Sequence, residues 1–444
     1  MDFTAEIFDQ IQLLFKVNGF NDHELHCALR FEHGPDPEVL KKSVIASIEA
    51  IPILGVRYVD EIRPRWTSLD PSDFGRAFML TTAETEFEEF LVSPVDESAG
   101  PQIRVCQFDS NPFSVALKMN HMICDAADFK QYLYFLCTIY SELAANPTYR
   151  PAPIIGDRSM RGVLKRFAMS IKLKSLLMQS KDNNRSGDHR FPLNEGGDVR
   201  PFILTRLMER KRVAALKDYC RAKGATLNDV VLTALYRCLF QLLALRSGVE
   251  LQIPVMVDMR RYLGETGEFK ALTNLSSMQI TRLDFKPEER FEGTLGRVKA
   301  VMDEKKAADI GLNGFIKLSL LYGIFGDRIA NHRLKSELKN PFICMTNVGM
   351  LDPGRMAFGN LHPYDAFLCG SIKYKPYFQL AMSSYDGQLT LSANLYGCAD
   401  DRNRIRSFLN EIEAELANLT MSGQAETTNS VTSASAQSQS AAAA

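Results

Sequence analysis

At 444 residues the chain can bury a large core and is long for one ordinary domain, which predicts two lobes. Its 45% hydrophobic and 24% charged residues are those of a globular protein in water, and charges such as Arg237 and Lys317 break each apolar run before the roughly 20 residues of a membrane span. The formal net charge of −1 lacks the basic excess of a nucleic-acid binder, so no nucleic-acid partner is expected.

The start, Met1 to Glu6, does not have the basic-then-apolar build of a signal peptide. Nine cysteines are scattered without a Cys-x-x-Cys pair, so reduced thiols in a cytoplasm are the expectation. Residues 23–32 read as a strand, and Asp36-Pro37-Glu38 then opens a helix with Leu40, Val44, Ile45, Ile48 and Ile51 on one face. His23 and His26 are three apart on that strand and point to opposite faces. They make a poor metal pair and are read as surface residues; no metal site is expected. Further strands are predicted near 55–60 and 102–108.

Phe113 to Phe129 carries the strongest functional signal. From Phe113 to Met119 the odd positions are apolar, the period of a half-buried strand, and His121 continues the inward parity. After Asp125 the apolar positions Phe129, Leu133, Leu136, Tyr140 and Leu143 recur at helical spacing until Asn146-Pro147. His121 and Asp125 therefore fall in a strand-to-helix turn. A neutral imidazole there can take a proton from an attacking hydroxyl or amine. A carboxylate four residues on can hold the turn or meet a distant cation. The plainer alternatives stand beside these: a lone histidine near an apolar strand is often a core residue, and Asp125 can simply cap the helix.

Residues 148–200 are Pro-rich at the start and Asn/Ser/Gly-rich near the end, as expected of a connector. Within 158–181, Arg158, Arg161, Lys165, Arg166, Lys172, Lys174 and Lys181 alternate with Leu164, Phe167, Met169, Ile171, Leu173, Leu176 and Leu177. This segment is either a solvated helix or a contact for a membrane surface or an acidic partner. A strand over 201–208 and a helix over 209–223 follow. Thr226 caps the next helix, whose Asn228 and Asp229 suit a first turn without catalytic duty. The run Ile253 to Tyr262 reads as a buried strand ending in charge. After it come a strand over 278–283, a helix over 287–306 and two mostly apolar segments between Leu312 and Asn331. Strands at 341–347, 376–384 and 388–396 and a helix from Asp400 to Leu416 complete the pattern. Beyond Thr420 the composition of Ser, Thr, Gln and Ala predicts disorder.

Asn120-His121-Met122-Ile123-Cys124-Asp125-Ala126 resembles the His-x-x-x-Asp motif of the acyltransferase superfamily of chloramphenicol acetyltransferase, condensation domains and wax ester synthases. Asn120 and Ala126 stand where the fuller motif has His and Gly. The Thr226 block, Asp258-Met259-Arg260-Arg261 and Thr346-Asn347-Val348-Gly349 also resemble that superfamily, in the same order. The resemblance implies an α/β (α+β) fold of two chloramphenicol-acetyltransferase-like lobes with a tunnel between them. On this reading 1–150 is the lobe carrying the motif, 151–200 the connector, 201–420 the second lobe and 421–444 a tail.

The resemblance further implies acyl transfer from a thioester to an alcohol or amine. The co-substrate would be acyl-coenzyme A or a pantetheinyl thioester on a carrier protein, with no bound cofactor and no carrier segment in the chain. His121 would act as base, and Arg260 against Asp125 would explain how a buried carboxylate stays ionised, although Asp258 or Arg261 can equally be surface charges. Asn274-Leu275-Ser276-Ser277 resembles a segment near the acyl channel, where polar groups donate to a developing oxyanion or merely form a turn. With Asn120 and Asn347 these complete the expected substrate contacts. Cys124 lacks a second base, so no covalent acyl-enzyme is expected. The alternative is a catalytically silent relative that docks a carrier protein or partner enzyme.

Overall fold

The structure, a computed structural model, describes residues 2–177, 189–263, 269–307 and 311–419; Lys181 and the tail 421–444 lie outside them. Two mixed α/β lobes are built on separate sheets. The first sheet has five strands, with Phe113–Asn120 in the middle, flanked by Glu24–Phe31 and Ile103–Phe108 in antiparallel register. Helices Pro37–Ala50 and Ala126–Ala145 pack on each other and seal its core with Leu40, Val44, Phe129 and Leu133.

The alternation in Phe113–Asn120 does not mean one wet face, because this is a central strand buried on both sides. Helix Glu84–Val92 packs beside it, and Lys118 on that side donates to Ser93 Oγ at 2.7 Å with its ammonium 4.3 Å from the Phe90 ring centre. His23 and His26, expected at the surface, are instead both fully buried. His26 Nδ1 meets the Leu91 carbonyl at 2.9 Å, and His23 Nε2 lies 3.4 Å from Glu97.

The second lobe holds a seven-stranded sheet. Helix Leu227–Leu242 is almost wholly buried in its core and begins in a capping box between Thr226 and Asp229, which gives the block from Gly224 to Val231 a structural task. The chain does not keep the lobes apart. Strand Asp365–Cys369, late in the sequence, returns to the first sheet and pairs with Glu24–Phe31. Helix Ile7–Val17 packs against Leu312–Glu337, a pair of helices broken by a kink at the non-helical Gly326 (φ 70°), which matches the two apolar segments expected between Leu312 and Asn331. Among the described residues no single helix is long and apolar enough to cross a membrane.

Candidate active site

His121 follows the end of Phe113–Asn120, and its backbone N–H donates to the His23 carbonyl at 2.7 Å. Asn120 is spent on the turn itself: its side chain donates to Gln102 at 2.7 Å and accepts from the Met122 N–H at 2.9 Å. Asp125 then performs both of the tasks open to it. Its Oδ1 caps helix Ala126–Ala145 by accepting from Ala127 and Asp128 N–H at 3.1 and 3.2 Å. Its Oδ2 faces the second lobe and accepts from Arg260 Nη1 at 2.8 Å, Leu275 N–H at 2.8 Å and Ser276 Oγ at 3.1 Å.

Arg260 is shared. Its Nη2 lies 2.8 Å from Asp128 and donates to Thr273 Oγ1 at 2.8 Å, while Nη1 also reaches Asp258 at 3.1 Å. Burial pushes the Asp125 carboxyl up, but the Arg260 charge and these hydrogen bonds outweigh it and hold the group below its ordinary value. Asp128 has less compensation, and burial raises it to about 6. Asp128 was missed in the sequence, where it looked like any acid in a first helical turn. Arg158, placed in the basic segment, is likewise buried: it pairs with Asp9 at 2.9 Å and donates to the Leu272 carbonyl at 2.9 Å. These contacts tie the connector and the N-terminal helix to the same seam.

His121 and Asp125 line a cavity of about 320 Å³ between the lobes. Phe8, Ile11 and Phe15 from the N-terminal helix and Phe315, Leu318 and Leu334 from Leu312–Glu337 give it an apolar wall. Asn274, Ser276 and Ser277 also line it, but their hydrogens are already given away. Asn274 Nδ2 donates to the His121 carbonyl at 2.8 Å, Ser276 Oγ to Asp125, and Ser277 Oγ to the Gly311 carbonyl at 2.9 Å. These three side chains therefore help to hold the site together. Asn347 is exposed and accepts from its own turn at Gly349; its neighbours Thr346 and Val348 face the cavity. Asn120 and Asn347 are thus outside the group that the fold brings together.

His121 Nδ1 lies 3.3 Å from Asn274 Nδ2, and the ring also interacts with the backbone of His121 and Cys124. Burial lowers the ring to about 4, with its own carbonyl and Asp125 opposing. The base form is consequently complete at neutral pH. A rate that requires neutral His121 should stay flat from pH 8 to 5 and fall only as the pH approaches 4; a limb near 6.5 in kcat/KM would contradict this placement. Cys124 offers no rival, since its thiol is fully buried, lies 3.0 Å from the Met119 sulfur and is pushed well up by burial.

No protein-family model matches the chain, and no curated protein matches it in sequence. Solved structures do share its fold. Polyketide synthase associated protein 5 from Mycobacterium tuberculosis is similar at a TM-score of 0.66 and 16% identity, over 92% of this chain and 96% of that one. The TRI3 trichothecene 15-O-acetyltransferase from Fusarium sporotrichioides is similar at 0.70 and 12% identity, over 94% of each chain. The first condensation domain of the CDA synthetase is similar at 0.66 and 15% identity, over 95% and 96%. The architecture is the two-lobed fold of condensation domains and chloramphenicol-acetyltransferase-like acetyltransferases.

Proposed function

We propose that the protein transfers an acyl group from a thioester, on coenzyme A or a pantetheine arm, to a hydroxyl or amine. The observation that carries this reading is His121, neutral and lining a cavity between the lobes beside Asp125. The unprotonated ring nitrogen of His121 takes the acceptor proton as the oxygen or nitrogen attacks the thioester carbonyl. The tetrahedral intermediate then expels the thiolate, which recovers that proton from the imidazolium and leaves as thiol. Holding both substrates in one cavity is a large part of such catalysis. Asp125 and Arg260 position the ring and touch neither reactant. Thiol release from acyl-coenzyme A and acyl-pantetheine, with pooled alcohols and amines, tests the reading: release should depend on acceptor. No release with any donor would leave the silent docking reading in its place.

Donor delivery has a candidate surface. Arg161, Lys165 and Arg166 are exposed, and helix Met169–Leu177 exposes Met169, Ile171 and Leu173 while packing on Leu312–Glu337. The latter helix exposes Leu320, Ile324, Phe325 and Ile329 and also supplies the cavity wall. Apolar side chains beside cations fit an anionic membrane surface better than an acidic carrier protein. Binding to anionic vesicles should weaken steeply with salt, because exposed charges are screened over about 10 Å at 0.1 M. Absence of vesicle binding at low salt would return the segment to a plain solvated helix.

A further inference from the structure

One cavity-lining group has no part in the chemistry above. Lys373 sits in the short strand Lys373–Tyr374, whose backbone bridges to Asn21 and pairs with Leu395 in the second sheet. The loop at Asn21–His23 links it to the base: Asp22 N–H donates to the Ile372 carbonyl, and the His23 carbonyl accepts from His121. Lys373 and His121 are thus held on two sides of one loop.

Lys373 is only 7% exposed, yet it lines the cavity, and among the described residues its ammonium donates to no acceptor and forms no ion pair. A buried cation without a partner is expensive, and a fold keeps one where something else supplies the counter-charge. The protein's own candidate is Asp22. Its Oδ1 is taken by the Glu24 and Ile372 N–H groups, and burial raises the carboxyl to about 7, so it is an incomplete counter-ion. Of the described residues lining the cavity, Lys373 is the only lysine or arginine. Asp125, the only acid, is already paired with Arg260. Unpaired charge in the cavity is therefore positive and single, and it is flanked by the neutral polar groups of Asn21, Ser371 and Gln379.

We infer that Lys373 is an anion-binding group of this cavity and that one of the two substrates carries a carboxylate there, an inference that rests on the acyl-transfer reading for the word substrate. A carboxylate matches one cation by one charge and forms a charge-assisted hydrogen bond on arrival. A phosphate would bring more charge and more acceptor oxygens than one ammonium answers. The carboxylate belongs either to the acceptor, as an amino or hydroxy acid, or to the far end of a dicarboxylic acyl group.

The test begins with binding and needs no turnover. Hexanoate and hexanamide are titrated calorimetrically into wild type, Lys373→Met and Lys373→Arg. Wild type should bind hexanoate at least tenfold more tightly than hexanamide. Lys373→Met should abolish that preference in a protein that still folds, since Asp22, already raised to about 7, can take up a proton when the ammonium is gone, and Lys373→Arg should keep part of the preference. Equal affinities in wild type, no binding of hexanoate, or a preference that survives Lys373→Met would each overturn the assignment. Transfer assays with succinyl thioester against neutral acceptors, and with acetyl thioester against amino and hydroxy acids, then distinguish the two sources. A Lys373-dependent preference without transfer in either assay would sink the acyl-transfer reading and leave the anion site standing.

Discussion

Replacing His121 by alanine should lower turnover by roughly 10²–10⁴-fold, the usual contribution of a positioned general base, with little change in melting temperature. The ring faces a cavity, so its removal enlarges a space that already exists. The turn is held by backbone and neighbours that survive the change: His121 N–H to His23, Asn274 to the His121 carbonyl, and Asp125 to the helix start. A folded His121→Ala protein that turns over at the wild-type rate would remove the base assignment. A large loss of melting temperature would show that the ring supports the seam in its own right.

Arg260→Ala should be the most destabilising single change at the site. It leaves Asp125 and Asp128 facing each other inside the protein without their shared cation, and breaking a buried ion pair from one side costs about 3–5 kcal/mol. Asp125→Ala should cost less, because Arg260 keeps Asp128 and Asp258, although the helix start loses its cap. Both should slow turnover, since the turn that presents His121 loosens in each. In the double variant the loss should fall well short of the sum, as expected of residues in direct contact. Denaturant unfolding of the four proteins measures this coupling; additive losses would mean that the contact contributes nothing beyond its parts.

The sequence made part of this site legible. The change of period at Asp125 located the strand-to-helix turn, and the buried strand ending at Asp258 put a cluster of charge within reach of it. Both signals are local, and each survives without knowledge of the partner. What stayed hidden depends on long-range cover. His26 is expected at the surface because nothing in its own strand announces the helix Glu84–Val92, whose Leu91 carbonyl its ring meets, and His23 because nothing near it announces the approach of Glu97. Arg158 looked like one cation in a basic stripe, and only the arrival of Asp9 from the first helix turns it into a buried pair. Asp128 could not be told from a helix-dipole acid until Arg260 reached it. Asn120 and Asn347 stand where the resemblance expects substrate contacts, and each side chain bonds within its own turn, which position in the sequence does not announce. Lys373 gave no signal at all, since a lysine at a strand start is ordinarily a surface residue.

The most direct measurement of the central claim is the mass of the intact protein after exposure to acyl thioester alone, followed by addition of acceptor. Direct transfer assisted by His121 predicts unmodified protein in the first step. In the second it predicts free thiol and an acylated acceptor in equal amounts, both lost in His121→Ala. An acyl adduct formed from donor alone on Cys124 and discharged by acceptor would contradict the account and make the protein a thiol-based transferase.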